Sequence, residues 1–135
     1  MHRRALLAAF ALAALAPLSA HASGGEKADK KKGGGETYLQ IEPVSATTSP
    51  TGGRRGILTV ETGVDIPDAA LRDYAEKSLP RLRAAYVQVV QIYAGGLPPR
   101  TPPSPDFLSI ELQRETDRVL GRKGARLLLG AILIN

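Results

Sequence analysis

The stretch Gly56–Ile66, "GILTVETGVDI", leaves this chain few options. Leu58, Val60, Thr62, Val64 and Ile66 fall on one side of an extended backbone, and Thr59, Glu61, Gly63 and Asp65 on the other. Side chains of a strand alternate between faces, so this segment is a strand with one face in a core and one in water. A lone strand cannot bury that face. The sequence must therefore supply paired neighbours and a second layer to cover them.

One neighbour precedes it. In "TYLQIE", Thr37, Leu39 and Ile41 alternate with Tyr38, Gln40 and Glu42. Pro43 has no N–H for a ladder, so it is expected to end this strand. "SATTSPTGGRRG" then supplies turn chemistry at Pro50 and Gly52-Gly53, and "GGRRG" (Gly52–Gly56) reads as a hairpin tip. A further neighbour is offered by Ala125–Asn135, "ARLLLGAILIN", in which nine of eleven residues are apolar or glycine. That run has no wet face. It reads as a strand buried on both sides or covered by a partner, with a buried helix as the other reading.

The covering layer lies between these strands. Leu71, Ala75, Leu79, Leu82, Tyr86, Val89 and Tyr93 recur every three or four positions, one stripe of a long helix that Gly95 and Gly96 stop. Asp65, Pro67 and Asp68 suit its start. Within it, "EKSLPRLRAAY" (Glu76–Tyr86) places Pro80 where a helix interior wants a backbone N–H. In an interior position that costs about 3 kcal/mol, so Pro80 marks a kink or the first turn of a second helical segment. "LPPRTPPSP" follows as a stiff, extended connector. Ser104-Pro105-Asp106 then opens a second helix, with Ser as cap and an acid at the positive end of the dipole. Phe107, Leu108, Leu112, Val119 and Leu120 give it an apolar face, and Gly121 ends it. The expectation is one α+β domain, 36–135: a sheet of three or four strands with two main helices packed on it.

What precedes the domain has a different composition. Residues 1–22 carry Arg3 and Arg4, an apolar run from Ala5 to Leu18, and Ala20-His21-Ala22. That order is an export signal, and the apolar run falls short of the roughly 20 residues that span a bilayer. The arginine pair partly matches the twin-arginine pattern, so either export route fits. The expected location is the periplasm, with membrane anchoring only if this segment is retained. Residues 23–35, "SGGEKADKKKGGG", form a Gly/Lys linker whose lysines offer weak contact with anionic lipid at most. From Glu36 onward 12 basic residues face 11 acidic ones, so nearly all of the net charge of +5 belongs to the N-terminal end.

Cleavage after Ala22 removes both histidines, and the chain has no cysteine. The mature domain then holds by packing alone, without a disulfide. Zinc, copper and haem ligation of the usual kinds are excluded, and no metal or other cofactor is expected. Asp65 and Asp68 lack an EF-hand around them. Serines without histidine, or a Ser-x-x-Lys, carry no nucleophilic chemistry. "GGRRG" lacks the Gly-Lys-Ser/Thr ending of a phosphate loop. A carboxylate pair of Glu61 with Glu111 or Glu115 is the remaining hydrolytic arrangement. The basic residues interleave with acids and lack aromatic neighbours, which argues against nucleic acid as a partner. The chain reads as non-catalytic.

The order of these motifs resembles a known family. "TYLQIEPV" (Thr37–Val44), "GGRRGILTVETGVDI" (Gly52–Ile66), "LPRLR" (Leu79–Arg83) and a hydrophobic last strand are similar to the periplasmic domain of the FliL family, the flagellar basal-body-associated proteins. Members typically open that domain with a Tyr-x-x-Leu-(Glu/Asp)-Pro-like strand and carry a Pro close to an Arg in the long helix. The resemblance covers Glu36 to Asn135. It implies a stomatin-like fold, a non-catalytic role beside the flagellar stator or other envelope proteins, and self-association. The candidate partner-facing residues are Arg54 and Arg55 at the hairpin tip, Arg81 and Arg83 after Pro80, and the apolar last strand. Arg83 also has Glu76 and Asp73 nearby in sequence for an ion pair. The alternative expectation is a periplasmic binding module of unrelated role, with its site beneath the proline-rich connector.

Overall fold

The alternating segments pair as their faces require. In the structure, a computed structural model that describes residues 35–135 apart from Thr51, β1 (Tyr38–Thr47) and β2 (Ile57–Asp65) form an antiparallel hairpin. β3 (Arg126–Ile134) lies antiparallel on the other side of β2. The sheet order is β1-β2-β3, so β2 is central and the other two strands are edges. Three helices follow β2: α1 (Ala69–Lys77), α2 (Leu79–Gly96) and α3 (Pro105–Leu120). They cover one face of the sheet, α2 along β1 and α3 at the start of β3. The fold is α+β, a single domain with one open three-stranded sheet. Residues 1–22, read above as an export signal, and nearly all of the segment read as a linker lie outside the described residues.

The core follows from the alternation in β2. Leu58, Val60, Thr62, Val64 and Ile66 are all buried and meet Leu71, Leu82, Tyr86, Val90, Leu108 and Leu112 from the helices. Thr116 reaches the bottom of this core, where its hydroxyl donates to the Leu112 carbonyl at 2.7 Å and contacts the Tyr86 hydroxyl.

Several sequence expectations need correction. Pro43 does not end β1. The strand runs on to Thr47, because Glu42 and Pro43 together oppose the single residue Glu61 in a bulge. A bulge on an edge strand leaves one residue out of the ladder, and Pro43 fits that place. The same bulge preserves the buried face, which passes from Leu39 and Ile41 to Val44 and Ala46. β3 repeats the device with Gly130 and Ala131 opposite Glu61.

The long helix is two helices. Ser78 (φ −99°, ψ 2°) ends α1 and begins α2, and Pro80 sits in the first turn of α2, where no N–H is needed. The break rotates the apolar stripe, so Val90 and Ala94 are buried while Val89 and Tyr93 lie at the margin. Of the two aspartates assigned to the helix start, only Asp68 serves there. It caps α1 through Leu71 N–H at 2.9 Å. Asp65 closes β2 instead, accepting from the Thr37 hydroxyl. α3 begins at Ser104 and ends at Gly121 as expected, Gly121 taking the left-handed φ of 74° that its type tolerates. Phe107, however, is half-exposed and stacks on Tyr93 rather than entering the core.

β3 is a strand, but not one buried on both sides. Helices cover only one face of the sheet, so Leu127 is buried while Leu133, on the other face, is 52% exposed; Ile134, opposite Leu58 at the end of this edge strand, is 44% exposed. The connector is not fully extended either. Thr101 N–H bonds to the Pro98 carbonyl at 3.2 Å, folding Pro98–Thr101 into a turn.

Candidate functional site

The four candidate arginines separate into two pairs. Arg81 and Arg83 are committed within the fold. Arg81 donates to the Tyr74 hydroxyl and to the Val119 carbonyl, each at 3.4 Å, and so ties α1 and the end of α3 to α2. Its hydrogen bond and charge hold the Tyr74 phenol below the usual range. Arg83 reaches β1 rather than Glu76 or Asp73. It donates to the Pro43 carbonyl at 3.4 Å, and its Nε lies 3.5 Å from the Glu42 carboxylate. That Nε approach is an ion pair without hydrogen-bond geometry, since Nε has no hydrogen-bond acceptor. The helix face therefore grips the β1 bulge. The reason is register: the Glu42-Pro43 bulge brings this carboxylate and carbonyl within reach of α2.

Arg54 and Arg55 face the other way, into a cavity of about 500 Å³ at one end of the sheet. Its walls come from three places far apart in sequence: the hairpin (Thr48, Ser49, Arg54, Arg55), the connector (Pro98–Thr101) and the end of β3 (Ile134, Asn135). Backbone bonds hold these together. Thr48 N–H bonds to the Gly56 carbonyl at 2.9 Å, and Ile57 exchanges two bonds with Asn135 at 2.9 and 3.1 Å. Ser49 donates to the Gly95 carbonyl at the end of α2. Arg100 joins the two hairpin arginines here, a third cation that sequence reasoning missed. The available signal was its position as the sole charged residue of "LPPRTPPSP".

A second cavity, about 620 Å³, lies on the far side of the connector between α2 and α3. Val89, Ile92, Tyr93, Leu97 and Phe107 make it mostly apolar. The carboxylate pair proposed for hydrolysis is not assembled. Glu61 lies on the open face of the sheet, while Glu111 and Glu115 sit on α3 across it and pair with Arg114 and Arg118. Among the described residues, no helix is long and apolar enough to cross a membrane.

The free edge of β3 is the other surface of note. From Leu127 to Ile134 it carries no charge and no proline, and only β2 pairs with it. Edge strands are ordinarily blunted by charge, proline or a covering element, because their unpaired N–H and C=O groups invite another strand. Here only the Gly130–Ala131 bulge interrupts the edge.

Taken together, these features define an α+β domain with helices on one sheet face, an unblunted edge strand and an arginine-lined cavity at one end. No protein-family model matches the chain, and no curated protein matches it.

Proposed function

We propose that this chain is a non-catalytic periplasmic interaction protein that receives a strand of a protein partner on the free edge of β3. The observation that carries the reading is the eight-residue run Leu127–Ile134, uncharged and paired on one side alone. Strand addition draws affinity from main-chain hydrogen bonds and specificity from alternate side chains. Leu133 on the open face, beside half-exposed Ile57 on β2, supplies apolar contacts for such an added strand. The motif order shared with the FliL periplasmic domain, with its implied stomatin-like architecture, makes the flagellar stator the first partner class to test. Other envelope proteins and a second copy of the chain follow.

The test is crosslinking in the native host, with a photoreactive residue at Leu133 and mass spectrometry of what is captured. The expected result is one dominant partner, lost when Ala131→Lys, a change that charges the edge, is combined with the same photoreactive residue at Leu133. Capture of stator or basal-body proteins makes the chain a motor accessory. The same capture with and without Ala131→Lys would overturn strand addition.

A further inference from the structure

We propose that the cavity formed by Arg54, Arg55 and Arg100 binds a small multivalent anion, a molecule with two or more phosphate or carboxylate groups. This goes beyond strand pairing at β3 and does not rest on it.

Charge is the first argument. Three guanidinium groups from two separate loops line one cavity of about 500 Å³, and none of its lining side chains is acidic. The other arginines that form ion pairs in this fold do so with Glu42, Asp65, Asp68, Glu111 and Glu115. Among the described residues, Arg54, Arg55 and Arg100 have no such partner. Like charges gathered with no acidic side chain among them repel, and an anion in the cavity would offset that repulsion. Guanidinium forks match the oxygens of carboxylate and phosphate, and the hydroxyls of Thr48 and Thr101 add hydrogen-bonding groups to the same wall.

The second argument is independent of charge. Arg100 has φ 61°, the only non-glycine residue with positive φ among those described. It occupies the third position of the Pro98–Thr101 turn, where glycine or asparagine is ordinarily found when φ is positive. An L-residue with a large side chain is strained there, and such strain gathers at ligand-binding sites. Nothing in the fold of the turn requires an arginine. Its side chain is the reason to accept the conformation, and that side chain lines the cavity.

The third argument is size and access. The cavity is open to solvent and about 500 Å³ in volume, which accommodates a compact ligand rather than a polymer.

The test is isothermal titration of the full chain with inorganic pyrophosphate and, in a second arm, citrate. Binding in the pyrophosphate arm alone assigns phosphate, in the citrate arm alone carboxylate, and in both the shared multivalent charge. Arg54→Ala, Arg55→Ala and Arg100→Gly should each weaken binding about tenfold or more, since each removes charge-assisted hydrogen bonds. Arg114→Ala, which removes a paired arginine outside the cavity, should leave affinity within about twofold. Arg100→Gly is the decisive variant, because it relieves the turn and should keep or raise the melting temperature while losing the ligand. Failure of both anions to bind would overturn the proposal. So would equal weakening by Arg114→Ala and Arg100→Gly, which would indicate diffuse surface charge. Ala131→Lys on β3 should bind pyrophosphate like the parent, which keeps this test separate from that of strand addition.

Discussion

Tyr86 is the residue on which the core's one buried hydroxyl pair depends. Its phenol is pushed up to about 12, chiefly by burial, with the Thr116 hydrogen bond pulling it down and the Asp117 charge adding to the rise. The consequence has a definite sign. In the unfolded chain a tyrosine loses its proton near 10, so between pH 10 and 12 the unfolded state binds fewer protons than the folded one. Stability is intact below pH 10 and falls as pH rises, by about 3 kcal/mol from this residue once pH passes 12. Tyr86→Phe should cost about 1 kcal/mol at pH 7, because Thr116 keeps its bond to the Leu112 carbonyl. Its urea midpoint should then fall less steeply than that of the parent between pH 10 and 12. Parallel curves for the two proteins would mean that Tyr86 is not shielded. At this scale the sequence was uneven. Leu82 and Tyr86 were legible as core from spacing, whereas Thr116 was not, because its hydroxyl meets the Tyr86 phenol on another helix, a partner that spacing along α3 does not announce. The contacts of Arg81 and Arg83 were not legible, since spacing along a helix says nothing about a carbonyl on another element.

At the scale of elements, Pro80 shows how local chemistry and tertiary packing divide the work. Pro80→Ala should change stability by less than about 1 kcal/mol, since a first-turn proline forgoes no hydrogen bond. Gln88→Pro, at an exposed position in the middle of α2, should cost about 3 kcal/mol or more. Chemical denaturation of both variants measures the contrast. A comparable loss from the two would mean that Pro80 braces the α1–α2 corner by packing. The helix caps at Ser104 and Gly121 were readable because capping is a matter of adjacent residues. Pro43 was misleading for the opposite reason. Whether a proline ends a strand or sits in a bulge depends on the strand opposite, and Glu61 is 18 positions along the chain.

For the whole molecule, one core links all six elements, with buried residues contributed by each strand and helix. Far-ultraviolet circular dichroism and tyrosine fluorescence should therefore report a single coincident thermal transition. Two separate transitions would mean that the sheet and helices melt independently. Leu82→Asp places a charge at a site with no exposure and should cost more than about 4 kcal/mol, a large share of the stability of a domain this size. The expected spectrum at 25 °C is that of an unfolded chain. Retention of the parent's melting curve would remove Leu82 from the core.

The features legible in the linear chain are local ones. Alternation set the buried face of β2, the three- and four-residue rhythm announced helices, and the caps followed from neighbouring residues. These are properties of a backbone and its nearest side chains, so a linear reading reaches them. The tertiary structure alone decided what sits beside what. It set the two bulges against Glu61, tied Arg81 and Arg83 to neighbouring elements, left β3 as an open edge, and brought Arg100 to Arg54 and Arg55. Each depends on residues of different elements meeting across a sheet, a helix pair or a connector. Only the packing of one core fixes those distances.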